Sequence, residues 1–346
     1  MRCSYCYYKE SHVERVKVME RHVLEAAIHL GMERSLQFKQ KFLNITFFGG
    51  EPLLCMDSIR HGVAYAKSVV PQGFGLQFAV NTNGTLLNSE IIQFLKDENF
   101  QIFLSLDGSA QRHNICRRLV NGQGSVGLIE PYLDALKKMR TVVLSVVTRE
   151  NMRGLAESIE WIYRQGFLPG TTAVDFDGRW TGEEFDVLAL EYGKIADFWL
   201  KLKLEKRPFY LGTIQDKVKI AVENSRYRNF SCHVYYGGIS VAADGSVFPC
   251  TRFIASNAKA PYCMGNVFTG IDEGVALQVR DFLVKEKLEC QGCAIRHRCA
   301  AHECACTSFY TTGTLGGVSA EVCSHERMLA EICDKISDKL ILDLPV

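Results

Sequence analysis

Between residues 19 and 36 the apolar side chains Val23, Leu24, Ala27, Ile28 and Leu30 recur at the spacing of one helical face, which predicts an amphipathic helix. Over 42–48 the period changes: Leu43, Ile45 and Phe47 alternate, and the run stops at Gly49 and Gly50, the pattern of a strand opening into a loop. The two periods then take turns. Helices are predicted over 58–69, 87–96, 125–138, 151–165 and 183–204, and strands over 76–80, 102–106, 142–147 and, with a weaker pattern, 173–176. Strands separated by helices of this length pair in parallel through right-handed crossovers, so the front of the chain predicts an α/β fold, a partial or complete barrel.

In such folds the loops leaving the C-terminal strand ends carry the chemistry. Those tails read Gly49-Gly50-Glu51-Pro52, Asn81-Thr82-Asn83-Gly84, Ser105-Leu106-Asp107-Gly108 and, later, Asp175 and Asp177. Any one of them is an ordinary turn; their recurrence on successive strands points to a site. Asp175 and Asp177 lie where a substrate-facing acid would sit, and a turn or helix cap accounts for them as well. After residue 204 the texture changes to short strands, turns and clustered cysteines from Ser231 onward, with little helical periodicity until a closing helix at 322–340. A boundary near Asn229 divides the chain into 1–228 and 229–346, and there is no internal repeat or low-complexity tract.

Composition narrows the partners. The 346 residues are 47% hydrophobic and 23% charged, with a formal net charge of +1 and no long Lys/Arg run, so nothing in the charge balance calls for nucleic acid or an anionic membrane. No apolar run approaches the ~20 residues of a membrane span, and residues 1–20 show no signal-peptide pattern, so a cytoplasmic location is expected. The 14 cysteines are the unusual quantity. In a reducing compartment clustered cysteines read as metal ligands or redox centres rather than disulfides. Two sit at the front (Cys3, Cys6), only Cys55 and Cys116 lie between Cys6 and Cys232, and seven fall between Cys290 and Cys333, which predicts two separate cysteine sites.

Met1-Arg2-Cys3-Ser4-Tyr5-Cys6-Tyr7-Tyr8, followed by the Gly-Gly-Glu-Pro, Thr-Asn-Gly-Thr and Ser-Leu-Asp-Gly strand tails, resembles the radical S-adenosylmethionine (SAM) superfamily. A CxxC alone would read as a redox pair or half a zinc site; the aromatic residues around Cys6 and the later motifs make the resemblance specific. It implies a partial (β/α)6 barrel and a 4Fe-4S cluster held by a CxxxCxxC loop, with one iron open to SAM, whose cleavage yields a 5'-deoxyadenosyl radical. By this resemblance Cys3 and Cys6 are the second and third ligands, and Gly49, Gly50 and Glu51 meet the methionine amino group. Ser105 and Asn83 face the same ligand, and Arg117 or Arg118 holds its carboxylate. The first ligand would stand two residues before Met1, and the first strand is missing with it. An internal methionine taken as the start, or a truncation, accounts for this, and a weak or absent cluster is expected here.

Cys232, Gly245 with Cys250, then Cys290, Cys293, Cys299, Cys304 and Cys323 resemble the SPASM domain, the auxiliary-cluster module of peptide and sulfatase maturases. One spacing departs: four residues instead of three separate Cys299 from Cys304, and Cys306 is a further candidate. The resemblance implies up to two auxiliary 4Fe-4S clusters, one on Cys232, Cys250 and Cys304 or Cys306, the other on Cys290, Cys293, Cys299 and Cys323. Two zinc sites are the competing reading. His233, His297 and His302 read as surface histidines, and Cys55, Cys116, Cys263 and Cys333 as small buried hydrophobes.

The function so implied is modification of a ribosomally made peptide, such as a thioether crosslink, with a flavodoxin or ferredoxin as electron donor. Formylglycine formation in sulfatases is the alternative, the tail from Cys290 to Leu329 being read as closer to peptide maturases. A catalytically silent metal-binding protein that recognises a peptide is the alternative of another class. Which substrate is taken rests on variable loops that the motifs leave open.

Overall fold

The computed structural model of the protein describes residues 1–6, 18–223, 234, 237–254, 262–284, 287–300 and 304–343. The chain opens with a two-residue strand β1 (Arg2–Cys3) and then alternates α1 (Arg21–Gln37), β2 (Phe42–Phe47), α2 (Met56–Val69), β3 (Gly75–Thr82), α3 (Ser89–Asp97), β4 (Gln101–Ser105) and α4 (Ala110–Cys116). Then follow β5 (Arg117–Arg118), the single turn α5 (Leu133–Leu136), β6 (Arg140–Val147), α6 (Leu155–Arg164), β7 (Pro169–Val174), α7 (Gly182–Leu204) and α8 (Gly212–Glu223). The central sheet is five parallel strands in the order β2-β3-β4-β6-β7, which is the predicted partial barrel without its first strand. The register aligns Phe47 with Val80, Thr82 with Leu104, Ser105 with Leu144 and Val147 with Val174. All five strand tails therefore end along one edge, where the predicted motifs lie.

Alternation decides which face of each strand is buried. Val80, Ile102, Leu104, Val143 and Val147 are buried with Ile59, Ala66, Leu95, Leu136, Leu155 and Ile162 from the covering helices. Each large aliphatic side chain so buried contributes about 1.5–3 kcal/mol, and this core holds the strand tails in register.

The rear consists of β8 (Ser240–Val241), β9 (Ser246–Phe248), β10 (Gly265–Asn266), β11 (Gly270–Ile271), α9 (Glu273–Val284), α10 (Ala305–Thr312) and α11 (Ala320–Asp343). β8 to β11 form an antiparallel meander, and Phe248, Phe253, Val279, Ala305, Cys306 and Leu315 make a separate core. α11 packs on α7 and α8 and delivers Leu329, Cys333 and Ile336 to the main core, fastening rear to front.

Several expectations need correction. The helix predicted over 125–138 is two 3-10 turns, Val126–Leu128 and Glu130–Tyr132, followed by α5. Pro131 has no N–H to donate and disfavours helical geometry at Glu130. β7 starts at Pro169, ahead of the predicted start at 173, because its alternation is carried by Gly and Thr, and Pro and Gly at its head conceal a strand. The rear is more helical than predicted: α9 and α10 are too short for a clear periodic signal. The boundary at 228/229, Cys232, His233 and His302 lie outside the described residues.

Candidate active site

The front CxxC folds as a tight turn. Cys3 pairs with Arg117 across the β1–β5 ladder, Ser4 N donates to the Cys116 carbonyl at 3.0 Å, and Cys6 N to the Cys3 carbonyl at 3.4 Å. Cys3 and Cys6 are half-buried and form no disulfide. The Tyr5 ring lies over the Arg117 guanidinium at 5.3 Å, and its buried hydroxyl makes no hydrogen bond. Burial therefore holds the Tyr5 phenol above its ordinary range.

Beside this turn a cleft of about 410 Å3 is lined by Ser4, Tyr5, Thr148, Arg149, Glu150, Asp175, Gly178 and Glu184. Ser4 Oγ donates to Glu150 Oε2 at 3.0 Å, and the Cys116 thiol meets Glu150 Oε2 and Thr148 Oγ1, each at 3.3 Å. Arg149 Nε pairs with Glu184 Oε1 at 2.5 Å. Asp175 enters the cleft from the β7 tail, where its N–H donates to the Val147 carbonyl at 2.9 Å. Asp177 follows in the 3-10 turn Phe176–Gly178. Thr148, Arg149 and Glu150 escaped the sequence reading, although they are simply the tail of β6, the one strand to which the tail rule was not applied.

The other tails brace one another. Glu51 Oε1 accepts from Thr82 Oγ1 at 2.7 Å and Leu53 N at 3.2 Å, and Oε2 from Asn83 N at 2.8 Å. Burial raises the Glu51 pKa, and these bonds oppose it. Asn83 Oδ1 closes its own turn on Thr85 N at 2.9 Å. Gly49 and Gly50 have no heavy atom within 4 Å of where a Cβ would stand, so their backbone is open to a ligand. Ser105 ends β4 and is half-buried.

Under the tails lies a buried charged network whose members, apart from Asp107 and Arg117, the sequence reading did not single out. Asp107, fully buried, accepts from Arg117 Nε at 2.7 Å, Arg117 Nη2 at 3.0 Å and Val146 N at 2.8 Å. Burial alone would raise the Asp107 pKa; Arg117 outweighs it and holds the carboxyl below the ordinary range. Arg112 ties the Asp107 carbonyl to Ser145 Oγ and Asn151. His113 Nδ1 accepts from Asp107 N, so its Nε2 donates to Ser125 Oγ at 3.0 Å. Arg117 is thereby committed to Asp107 rather than to a ligand carboxylate. Arg118 is exposed, its Nε donating to the Ile115 carbonyl at 3.4 Å.

At the rear the thiols gather in two sets. Cys250, Cys304 and Cys306 pack in one core, with Cys306 hydrogen-bonded to both of the others. That bond from Cys306, with further bonds from Thr307, lowers the Cys304 pKa to about 5. Both alternatives left open by the spacing, Cys304 and Cys306, thus lie against Cys250. The second set is Cys290, Cys293, Cys299 and Cys323: Cys290 feels the charges of Cys293 and Cys323, and Arg327 feels those of Cys293, Cys323 and Cys299. Arg327 Nη2 stands 3.8 Å from Cys293 Sγ. The flanks of Cys299 are clamped, since Lys217 Nζ donates to the Arg298 carbonyl at 3.2 Å and Glu326 Oε2 accepts from Ala300 N at 2.7 Å. Among the described residues no disulfide joins the cysteines, and no three donors converge as around a single ion. Soft thiols in two groups with cations beside them suit iron-sulfur clusters.

Of the four cysteines expected as inert filler, Cys333 is fully buried as predicted. Cys116 is buried but faces the cleft acids, and Cys55 and Cys263 are only half-buried. His297 is half-buried.

The sequence profile of the Radical SAM superfamily matches residues 1–162. The front of the chain is a radical SAM domain. Such a domain works with SAM and a 4Fe-4S cluster. Over its length the chain is 23% identical across 313 residues to the cysteine-type anaerobic sulfatase-maturating enzyme of Clostridium novyi, covering 85% of this chain and 81% of that one. The fold is shared with anSMEcpe solved with bound AdoMet and the Kp18Cys peptide, at a TM-score of 0.80, 17% identity and coverage of 99% and 96%. Streptococcus suis SuiB bound to its precursor peptide SuiA superposes at 0.61 with 13% identity, covering 93% of this chain and 72% of SuiB. Beyond the radical SAM domain the Cys-rich rear is thus part of the shared architecture. No helix among the described residues is long and apolar enough to cross a membrane.

Proposed function

We propose that this radical SAM enzyme modifies a side chain of a ribosomally made peptide or a protein segment admitted to the cleft beside the CxxC turn. The observation that carries the reading is the placement of Ser4, Tyr5, Glu150 and Asp175 on one open cleft, next to the thiols of Cys3 and Cys6. Cys3 and Cys6 would supply two of the three thiolates of the radical cluster, with Gly49, Gly50 and Glu51 towards the methionine moiety and Ser105 and Asn83 towards the rest of the cosubstrate. Cys232, Cys250 and Cys304 with Cys306 would hold one auxiliary cluster, and Cys290, Cys293, Cys299 and Cys323 the other. When bound, these groups supply a carbon-centred radical for hydrogen abstraction and an acceptor for the electron the substrate gives up.

The chain's own residues supply position and proton transfer. Arg149, fixed by Glu184, presents donors to a peptide carbonyl, and Glu150, steadied by Ser4, accepts from a peptide N–H. Asp175 takes the proton that the substrate releases on oxidation. A flavodoxin or ferredoxin of the cytoplasm supplies the reducing electron.

Formylglycine formation is the second reading, favoured by the likeness to the Clostridium novyi sulfatase-maturating enzyme along 81% of its length. The test is anaerobic reconstitution with iron and sulfide, then incubation with SAM, dithionite and two substrates: a synthetic sulfatase Cys peptide, and precursor peptides encoded beside the gene. Loss of two hydrogens in the precursor supports crosslinking, conversion of the thiol to an aldehyde supports formylglycine formation, and no 5'-deoxyadenosine with either, from protein shown to carry the front cluster, rejects both.

A further inference from the structure

Between the two rear thiol sets runs one buried lysine. Lys287 is 3% exposed and precedes the turn that carries Cys290, whose N–H donates to the Lys287 carbonyl at 2.9 Å. Its ammonium extends the other way, to Ser308 Oγ on α10 at 2.5 Å. Ser308 in turn donates from Oγ to the Cys304 carbonyl at 3.1 Å, one helical turn back. The backbone of Lys287 thus supports the turn of Cys290, while its ammonium ties through Ser308 to the backbone of Cys304. Its surroundings agree: burial pushes its pKa down, and Cys304, Cys290 and Cys299 oppose that, so thiols of both sets act on it.

We propose that the Lys287 ammonium is a shared electrostatic anchor for the two auxiliary cluster sites and raises the reduction potential of both. This rests on the reading that the two thiol sets hold iron-sulfur clusters. Reduction adds a negative charge to a cluster, and a nearby cation stabilises the reduced state more than the oxidised one. Because Lys287 is buried, salt screens it little. Arg327, exposed beside Cys293, is the contrasting cation, and its influence fades with ionic strength. A fixed charge linked to both thiol sets makes the pair a better acceptor for the electron leaving the substrate. Lys287 is in this sense a positioning and tuning residue, not one that touches substrate.

The experiment is an EPR-monitored redox titration of the anaerobically reconstituted full chain, with iron and sulfide determined on every sample. Wild type is compared with Lys287→Met, Lys287→Gln and Lys287→Arg, at low and high salt. The expected result is full iron in all four, with the auxiliary potentials of the Met and Gln variants lowered by at least a tenfold change in the one-electron equilibrium, 59 mV. The Arg variant stays near wild type and the shift persists in high salt. Loss of iron from the Met and Gln variants alone also supports a requirement for the charge. Full iron with unchanged potentials overturns the proposal, as does loss of iron from the Arg variant too, which makes Lys287 a packing residue. Wild type that binds no rear iron refutes the cluster reading instead, a separate outcome.

Discussion

Asp107→Asn removes one charge from the network under the active-site edge and keeps its shape. Asp107 is fully buried, Arg117 nearly so, and the two share bonds of 2.7 and 3.0 Å, so the substitution leaves a guanidinium in the interior with no counter-charge. Removing one partner of a buried pair costs about 3–5 kcal/mol, a large share of the roughly 5–15 kcal/mol that holds a domain folded. The damage reaches the site, because Arg117 pairs with Cys3 and lies under Tyr5. The assay is urea unfolding of the metal-free protein, followed by tryptophan fluorescence across pH. The Asp107 pKa is depressed in the folded state, so its contribution is present above the unfolded value near 4 and lost as pH falls through the folded one. Wild type and variant should differ by several kcal/mol at neutral pH and converge in acid. The double variant Asp107→Leu with Arg117→Met should recover at least half of the loss, since an apolar pair of similar volume avoids the stranded charge. A difference below about 1 kcal/mol at neutral pH, or curves that stay parallel into acid, would refute the reasoning.

Four further outcomes follow from the same geometry. Gly108→Ala should destabilise by roughly 2 kcal/mol or more, because φ is +126° and a Cβ would stand 2.3 Å from that of Ser158, as thermal unfolding would report. Burial, with Arg117 adding to it, lowers the His113 pKa to about 4, so the unfolded state binds the extra proton between pH ~6.5 and ~4 and stability falls by about 3 kcal/mol as pH drops through that window. His113→Gln should flatten that slope in the same unfolding series. In the cleft, Asp175→Asn should lower turnover of the peptide about a hundredfold, and Glu150→Gln should mainly raise KM; iron content unchanged from wild type separates either effect from misfolding.

The sequence was most informative where period and punctuation agree. Alternation ending in Gly49-Gly50, or in Asp107-Gly108, located strands and their tails together, because a buried parallel strand and a loop that approaches a ligand leave different residue types. The resemblance to radical SAM enzymes added the role of those tails. β7 was harder: its alternating positions are Thr and Val behind Pro169-Gly170, so the apolar signal is thin. α8 hides Lys217 on its buried face, paired with Glu326 at 2.7 Å, a contact between residues far apart in the chain that no local pattern announces. The same holds for Arg112, His113 and Ser125, polar residues that prove to be interior. Cysteine spacing separated front from rear sites but left Cys304 and Cys306 as alternatives, and only three-dimensional packing puts both against Cys250.

The most direct measurement is the Mössbauer spectrum of protein produced anaerobically with isotopically enriched iron, taken with acid-labile sulfide and zinc content. The account predicts the doublet of 4Fe-4S clusters with matching sulfide, most of it lost when Cys250, Cys290 and Cys323 are replaced by Ala. Colourless protein carrying zinc without sulfide, or iron that survives those substitutions undiminished, would contradict it.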